Sequence, residues 1–341
     1  MRTARVRGAL TAAGIAASVL LAPRALAHHS PARYDMQAVH TVEGTITEYE
    51  WGNPHVYVSV RENGSDRVFV VEAFPSTAMK QYGWSKDTFA LGERVVVAGH
   101  PGRNPESTAL FLQAARKASS TAWLYDAGGA VAAPPPPAPQ TFKAASLEGT
   151  WQTSVGPTFG SFFGPAVAQL GTPQGAAAVA EFRDDTANPG LQCVPFAVPV
   201  YMILPGFFSI DVRGDAVVIR GEDAAVERVV HLDVTTHDGA LASVQGHSIG
   251  RWDDGALVVD TRAFAPHRLG NAAGLPSGTA KHLVERFALN AQSGLTYSFT
   301  LEDAEYLKAP ITGTADWLYR PDVEFVATPC DRSNARRFLS E

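Results

Sequence analysis

The chain has 341 residues, 45% of them hydrophobic and 18% charged, with a formal net charge of −6. An acidic chain without a Lys/Arg cluster is a poor partner for nucleic acid or an anionic membrane surface, because both reward clustered cations. With 30 Gly and 23 Pro, short strands and turns are favoured over long helices, and the length allows more than one core.

Arg2, Arg5 and Arg7 precede an apolar run from Ala9 to Ala22, and Ala25-Leu26-Ala27 then gives the small-x-small pattern of a signal-peptidase site. The run is shorter than the ~20 residues that span a bilayer. Residues 1–27 therefore read as an export signal, and no membrane insertion is expected. Removing them takes away four arginines and no acid, which moves the net charge from −6 to about −10. The mature chain is expected in the periplasm or outside the cell. In such an oxidising compartment Cys193 and Cys330 read first as a disulfide. Without a CxxC spacing they make a poor zinc or redox pair.

The first expected domain covers residues 28–118. Thr41–Trp51, Pro54–Arg61 and Arg67–Ala73 alternate apolar and polar residues as strands do, with Asn63-Gly64 as a tight turn. Ser76–Gly83 reads as a short helix capped by Ser76, and Arg94–Gly99 and Ala109–Ala115 complete five strands. Three strands, a helix and two strands is the order of an OB-like barrel. Residues 119–145 contain Ala132-Ala133-Pro134-Pro135-Pro136-Pro137-Ala138-Pro139, which reads as an extended linker.

Residues 146–341 form the second expected domain. Gly149-Thr150-Trp151 has the Gly-x-Trp of lipocalin-type barrels. Eight short strands follow between Phe207 and Arg320, separated by turns such as Asp253-Asp254-Gly255. Only Gln174–Phe182 reads as helical, and Ala265–Gly278 reads as a long loop. The expected fold class is all-β: an OB-like five-stranded barrel, then a lipocalin-like antiparallel barrel, with a sandwich as the alternative for the second.

Several short runs resemble a family of secreted bacterial domains of unknown function. They are His28-His29-Ser30, Tyr34-Asp35, Trp51-Gly52-Asn53-Pro54-His55, Gly83-Trp84 and Gly99-His100-Pro101. The second domain is similar to uncharacterised secreted proteins through Gly246-His247-Ser248-Ile249-Gly250-Arg251-Trp252, Leu257-Val258-Val259-Asp260-Thr261 and His282-Leu283-Val284-Glu285-Arg286-Phe287. The resemblance implies export and β-structure and carries no activity.

Cleavage after Ala27 leaves His28 at the N-terminus and His29 beside it. An α-amine, an amide and two imidazoles suit Cu(II) in tetragonal nitrogen sites, with His55 and His100 as further ligands if they lie at the same rim. The same four histidines also read as a tail and two ordinary strand ends.

In the second domain, period-two alternation groups His247 with Arg251, and His282 with Arg286. If these face inward with His231 and Trp252 nearby, they line a cavity for a small apolar molecule bearing a carboxylate, ketone or phenol. Binding of such a molecule is the leading expectation. An isomerase or hydrolase-like enzyme is the second, with Asp260 or Glu285 orienting His247 or His282 for proton transfer. A scaffold for an unknown protein partner is the third. Against all of these stands a charge ladder on the outer face, in which Arg251 and Arg286 pair with Asp260, Glu285 or Glu302. There is no phosphate-binding glycine loop, GxSxG elbow, HExxH or CxxCH.

Overall fold

The computed structural model describes residues 33–126, 142–153, 156–164, 166–292 and 294–338. The expected signal peptide, His28, His29 and the Ala132–Pro139 linker lie outside them. The chain is mostly β, 42% strand and 14% helix, and forms a five-strand barrel followed by a nine-strand barrel.

The first barrel contains β1 (His40–Glu50), β2 (Tyr57–Glu62), β3 (Val68–Glu72), β4 (Arg94–Pro101) and β5 (Ala109–Lys117), with β6 (Tyr125–Asp126) added at the edge. The sheet runs β3-β2-β1-β4-β5-β6, and a parallel β3–β5 pairing closes it. Val42, Val58, Val60, Val71, Val95, Val97 and Leu112 supply the buried face of each strand, as the alternation in their sequence requires. The helix is Ser76–Lys80, and its cap differs from the expected one. Ser76 does not cap it. Instead Asn53 Oδ1 accepts from both the backbone N–H and the hydroxyl of Ser76, at 3.0 and 2.9 Å.

The second barrel begins with β7 (Gly149–Thr153), β8 (Gly206–Val212), β9 (Ala216–Gly221), β10 (Glu227–His231), β11 (His247–Asp253) and β12 (Ala256–Arg262). A hairpin of β13 (His267–Ala272) and β14 (Leu275–Ser277) stands outside it, where the sequence reads as a loop. The barrel finishes with β15 (His282–Leu289), β16 (Leu295–Glu302) and β17 (Ile311–Tyr319). The expected helix appears as Pro173–Glu181, with Thr172 as its cap. Among the described residues of this part, four further short α-helices, at Pro157–Phe163, Val167–Leu170, Asp184–Ala187 and Arg332–Ala335, lack the length for a readable 3.6-residue period.

All neighbours in this barrel are antiparallel except one. β10 and β11 close it in parallel through only two residue pairs, Val230 with Ser248 and His231 with Ile249. Gly250 permits the close approach, since a Cβ there would fall 2.6 Å from Val230 Cγ1. The lumen is filled with aromatic rings. Trp317 stacks on Phe208 at 4.8 Å between centroids, and Phe287 and Tyr297 pack at 5.0 Å. Trp151, Trp317, Phe287 and Tyr297 are all fully buried. At ~25 cal/mol per Å² for 150–250 Å² each, such rings dominate the folding drive.

The tail joins the two barrels. Cys193 and Cys330 form a disulfide with Cα atoms 5.6 Å apart, as expected from the cysteine pair. Asp331–Phe338 lies on the first barrel. Elsewhere between the barrels, Lys80 pairs with the buried Glu222, and Gln81 donates to the Thr153 carbonyl at 3.0 Å. Among the described residues no helix is long and apolar enough to cross a membrane.

Candidate functional site at the barrel seam

The period-two grouping of the polar residues holds, but the faces are the reverse of the cavity expectation. On β11, Ser248 and Gly250 are buried while His247, Ile249 and Arg251 face outward. On β15, Leu283, Glu285 and Phe287 point inward, and His282 and Arg286 point outward. Two large apolar side chains on β15 decide its direction, and the one carboxylate that shares their face is carried inside. Arg286 donates to Asp253 at 2.9 Å, and Arg251 lies 4.0 Å from the same carboxylate. Trp252 is exposed. These three residues therefore lie on the outer face rather than lining the lumen, and the carboxylate that meets both arginines is Asp253 rather than Asp260, Glu285 or Glu302.

Inside, Glu285 meets Arg228 of β10 in a two-pronged ion pair, with one bond at 2.9 Å. Arg228 also donates to Ser248 Oγ at 3.0 Å and Thr261 Oγ1 at 2.8 Å, and Tyr297 donates to Glu285 at 2.9 Å. Every member is buried. The network ties β10, β11, β12, β15 and β16 together beneath the seam. A forked guanidinium–carboxylate contact supplies both strength and orientation, while the Ser248 and Thr261 oxygens take up further Arg228 N–H groups and the Tyr297 hydroxyl donates to the carboxylate.

Outside, a second chain of groups crosses the same strands. His231 stacks on His247, with centroids 5.1 Å apart. His247 Nδ1 lies 2.9 Å from His237 Nδ1, and His237 Nε2 lies 2.9 Å from Asp260 Oδ1. The other oxygen of Asp260 meets His282 Nε2 at 2.7 Å, and His282 Nδ1 meets Glu302 at 3.2 Å. His237 comes from the connection between β10 and β11, which has no periodicity to mark it. Gly246, at φ 72°, turns that connection into β11 and sets His247 at the strand start.

The electrostatics of the chain follow from its contacts. Burial raises the Asp260 carboxyl, but hydrogen bonds from His282 and His237 outweigh it and hold the group below the ordinary aspartate range. Burial, with His237 and His231 beside it, pushes His247 below the ordinary histidine value. The proton order then runs from the anionic end. Asp260 accepts from His237 Nε2–H, so His237 Nδ1 accepts from His247 Nδ1–H. His247 Nε2 is left with an open lone pair.

The histidine end of this chain borders a cleft of about 400 Å³ at the seam. His231 and His247 share its polar wall with Glu227, Ser243 and Gln245, and Pro195, Val229 and Val244 supply apolar surface. Arg228 and Ser248 also border it, but their polar groups belong to the inner network. Among the described residues the His231 ring nitrogens have no hydrogen-bond partner. Thus His231, His247, Asp260 and His282 come together outside the barrel, while Glu285 is separated from them on the inner face.

The histidines expected at a copper site divide differently. His55 is buried, with Nδ1 3.0 Å from Glu72 Oε1. His100 Nδ1 lies 2.8 Å from the Ala38 carbonyl. Among the described residues no group of three or more His, Cys, Asp or Glu side chains forms a preset metal site. Sequence reasoning missed Arg228, His237 and Lys281. Arg228 sits in a strand whose alternation marks it as inward, so a buried counterion for Glu285 was readable there. Lys281 is fully buried with its ammonium on the Val198 and Gly270 carbonyls, at 2.6 and 2.5 Å, and no local signal announces it.

Residues 17–113 match a family model described as a family of unknown function (DUF6152). The match spans the first barrel as far as β5 and stops well short of the second. No curated protein matches the chain.

Proposed function

We propose that this is an exported, periplasmic binding protein for a small, largely apolar molecule carrying an acidic hydroxyl, held in the seam cleft of the larger barrel. The observation that carries the reading is the pair of stacked imidazoles beside an apolar wall, with His247 Nε2 left as an acceptor by the Asp260–His237 chain. A phenol fits this chemistry. Its ring lies on Val229, Val244 and Pro195, and its O–H donates to His247. The filled lumen argues for the cleft over the barrel interior.

Calorimetric titration with phenol, and with toluene as a probe lacking the hydroxyl, tests the proposal. Phenol is expected to bind 1:1 and toluene not to bind, with phenol binding lost in His247→Ala. Equal heats for phenol and toluene, or undiminished phenol binding in His247→Ala, would contradict it.

An acid–base enzyme is the second reading, favoured by the His247–His237–Asp260 order, which matches a base oriented by a second group. Glu285 has no part in it, since its oxygens are bound to Arg228 and Tyr297. Copper capture at the N-terminus is a separate proposal resting on His28 and His29 alone, because His55 and His100 are engaged elsewhere. Cu(II) titration of the processed chain, followed by EPR, should give a nitrogen-rich tetragonal signal. One extra residue before His28 should abolish it.

A further inference from the structure

The most elaborate contact between the barrels is made by a short peptide. Asp331–Phe338 leaves the disulfide at Cys330 and lies across the face of the first barrel that carries Trp51-Gly52-Asn53-Pro54-His55. Its entry is set by the Asp331 N–H, which donates to the Asn53 carbonyl at 3.0 Å.

Three side chains anchor it, each by a different chemistry. Asn334 is 3% exposed. Its Oδ1 accepts from the His55 N–H at 3.1 Å, and its Nδ2 donates to the His55 carbonyl at 3.0 Å and to Glu50 at 2.5 Å. His55 immediately precedes Val56 and β2, beyond the last β1–β2 pair, Glu50 with Tyr57. The Asn334 amide bonds both of its backbone groups there, as a neighbouring strand would. Arg337 forks onto Glu50 and Glu48 at 2.5 Å each, with its guanidinium 4.7 Å from the centroid of the Tyr57 ring. Phe338 enters a small cluster of Tyr34, Tyr57, Ala109 and Phe111 that is separate from the core of the first barrel. Arg33 lies over the Phe338 ring and donates to its carbonyl.

Every surface that receives these anchors belongs to the first barrel. A backbone edge completed by a side-chain amide, a charge clamp and an aromatic pocket are the parts of a peptide-recognition groove. We infer that the first barrel is a peptide-binding module for segments of the form Asn-x-x-Arg-Phe, and that this chain carries one such ligand in cis. The disulfide holds Cys330, one residue before the segment, so the local concentration of the ligand is high and the groove stays filled. A groove on the matched domain and a ligand on the other domain also make the same recognition available between two chains.

The test uses the full chain and a chain ending at Cys330, which keeps the disulfide. The probe is a fluorescent peptide of residues 331–341, read by anisotropy. The shortened chain is expected to bind one peptide saturably, and the full chain, already occupied, not to bind. Asn334→Ala or Phe338→Ala in the peptide should weaken binding by about tenfold or more. Glu48→Lys with Glu50→Lys in the shortened chain should abolish it, and Arg337→Glu in the peptide should restore it.

A shortened chain with an unchanged circular dichroism spectrum and melting transition that binds no peptide would overturn the inference. If the shortened chain does not fold, hydrogen exchange of full-length Asn334→Ala decides. Faster exchange confined to residues 48–57 and 331–338 supports a separable ligand. Loss of protection through both barrels overturns it, because the segment is then part of the core.

Discussion

The inner and outer walls of the larger barrel carry two polar networks on the same strands, often on adjacent residues. Ser248 and Thr261 belong to the inner one, and their neighbours His247 and Asp260 to the outer one. The inner network is sealed. Arg228, Glu285, Ser248, Thr261 and Tyr297 are buried and bonded to one another. The outer chain is half-exposed and ends at a cleft with an unused acceptor. Polar groups that satisfy each other hold a fold together, whereas a polar chain with one end unsatisfied is suited to a ligand. The difference lies in closure, not in residue type.

Substitution on each wall separates the two roles. Arg228→Met leaves Glu285 buried without its cation and should cost about 3–5 kcal/mol in urea unfolding. Adding Glu285→Leu should recover much of that loss. A double variant no more stable than the single one would contradict a network whose role is mutual satisfaction. On the outer wall, Asp260→Asn should cost about 1 kcal/mol of stability or less. It should still weaken phenol several-fold, because the amide no longer fixes which nitrogen of His237 carries the proton.

The pH dependence sharpens the same contrast. Burial pushes the Lys281 ammonium, in the interior, down to about 7 from 10.5. Between about pH 7 and pH 10 the unfolded chain binds more protons at this lysine than the folded chain. Stability should therefore rise with pH across that window. Above it, buried tyrosines whose ionisation is raised, such as Tyr34 and Tyr297, take stability away. Lys281→Met should flatten the rise between pH 7 and 9, as read from urea midpoints; an unchanged slope would mean another group titrates. On the outer wall, the depressed His247 should keep phenol affinity constant down through the ordinary histidine range near 6.5 and lose it only below. The smallest expected effect is that of Arg251→Ala. Its side chain is 67% exposed and its contact with Asp253 is loose, so stability should change by less than about 0.5 kcal/mol.

The strands, their order and the disulfide were legible because alternation, turn residues and a lone cysteine pair are local or countable signals. The facing of β11 and β15 stayed open between a lumen lining and an outer charge ladder, because histidine and arginine suit either wall; on β15 the apolar residues decide it. Leu283 and Phe287, with far more apolar area to bury, set the face. The hairpin from His267 to Ser277 hid behind glycines and prolines that also mark loops. His237 was out of reach, since its role depends on a connection folding back over β11 and β12. Equally, nothing in Asn334 or Phe338 announces that a tail residue completes a strand edge nearly 280 positions earlier in the chain.

The most direct measurement is nitrogen NMR of ¹⁵N-histidine-labelled protein during a phenol titration. The account predicts that His247 carries its proton on Nδ1, and that its Nε2 resonance moves saturably with phenol while His282 responds weakly. A His247 protonated at Nε2, or one whose nitrogens ignore phenol while other histidines move, would contradict the seam cleft as the binding site.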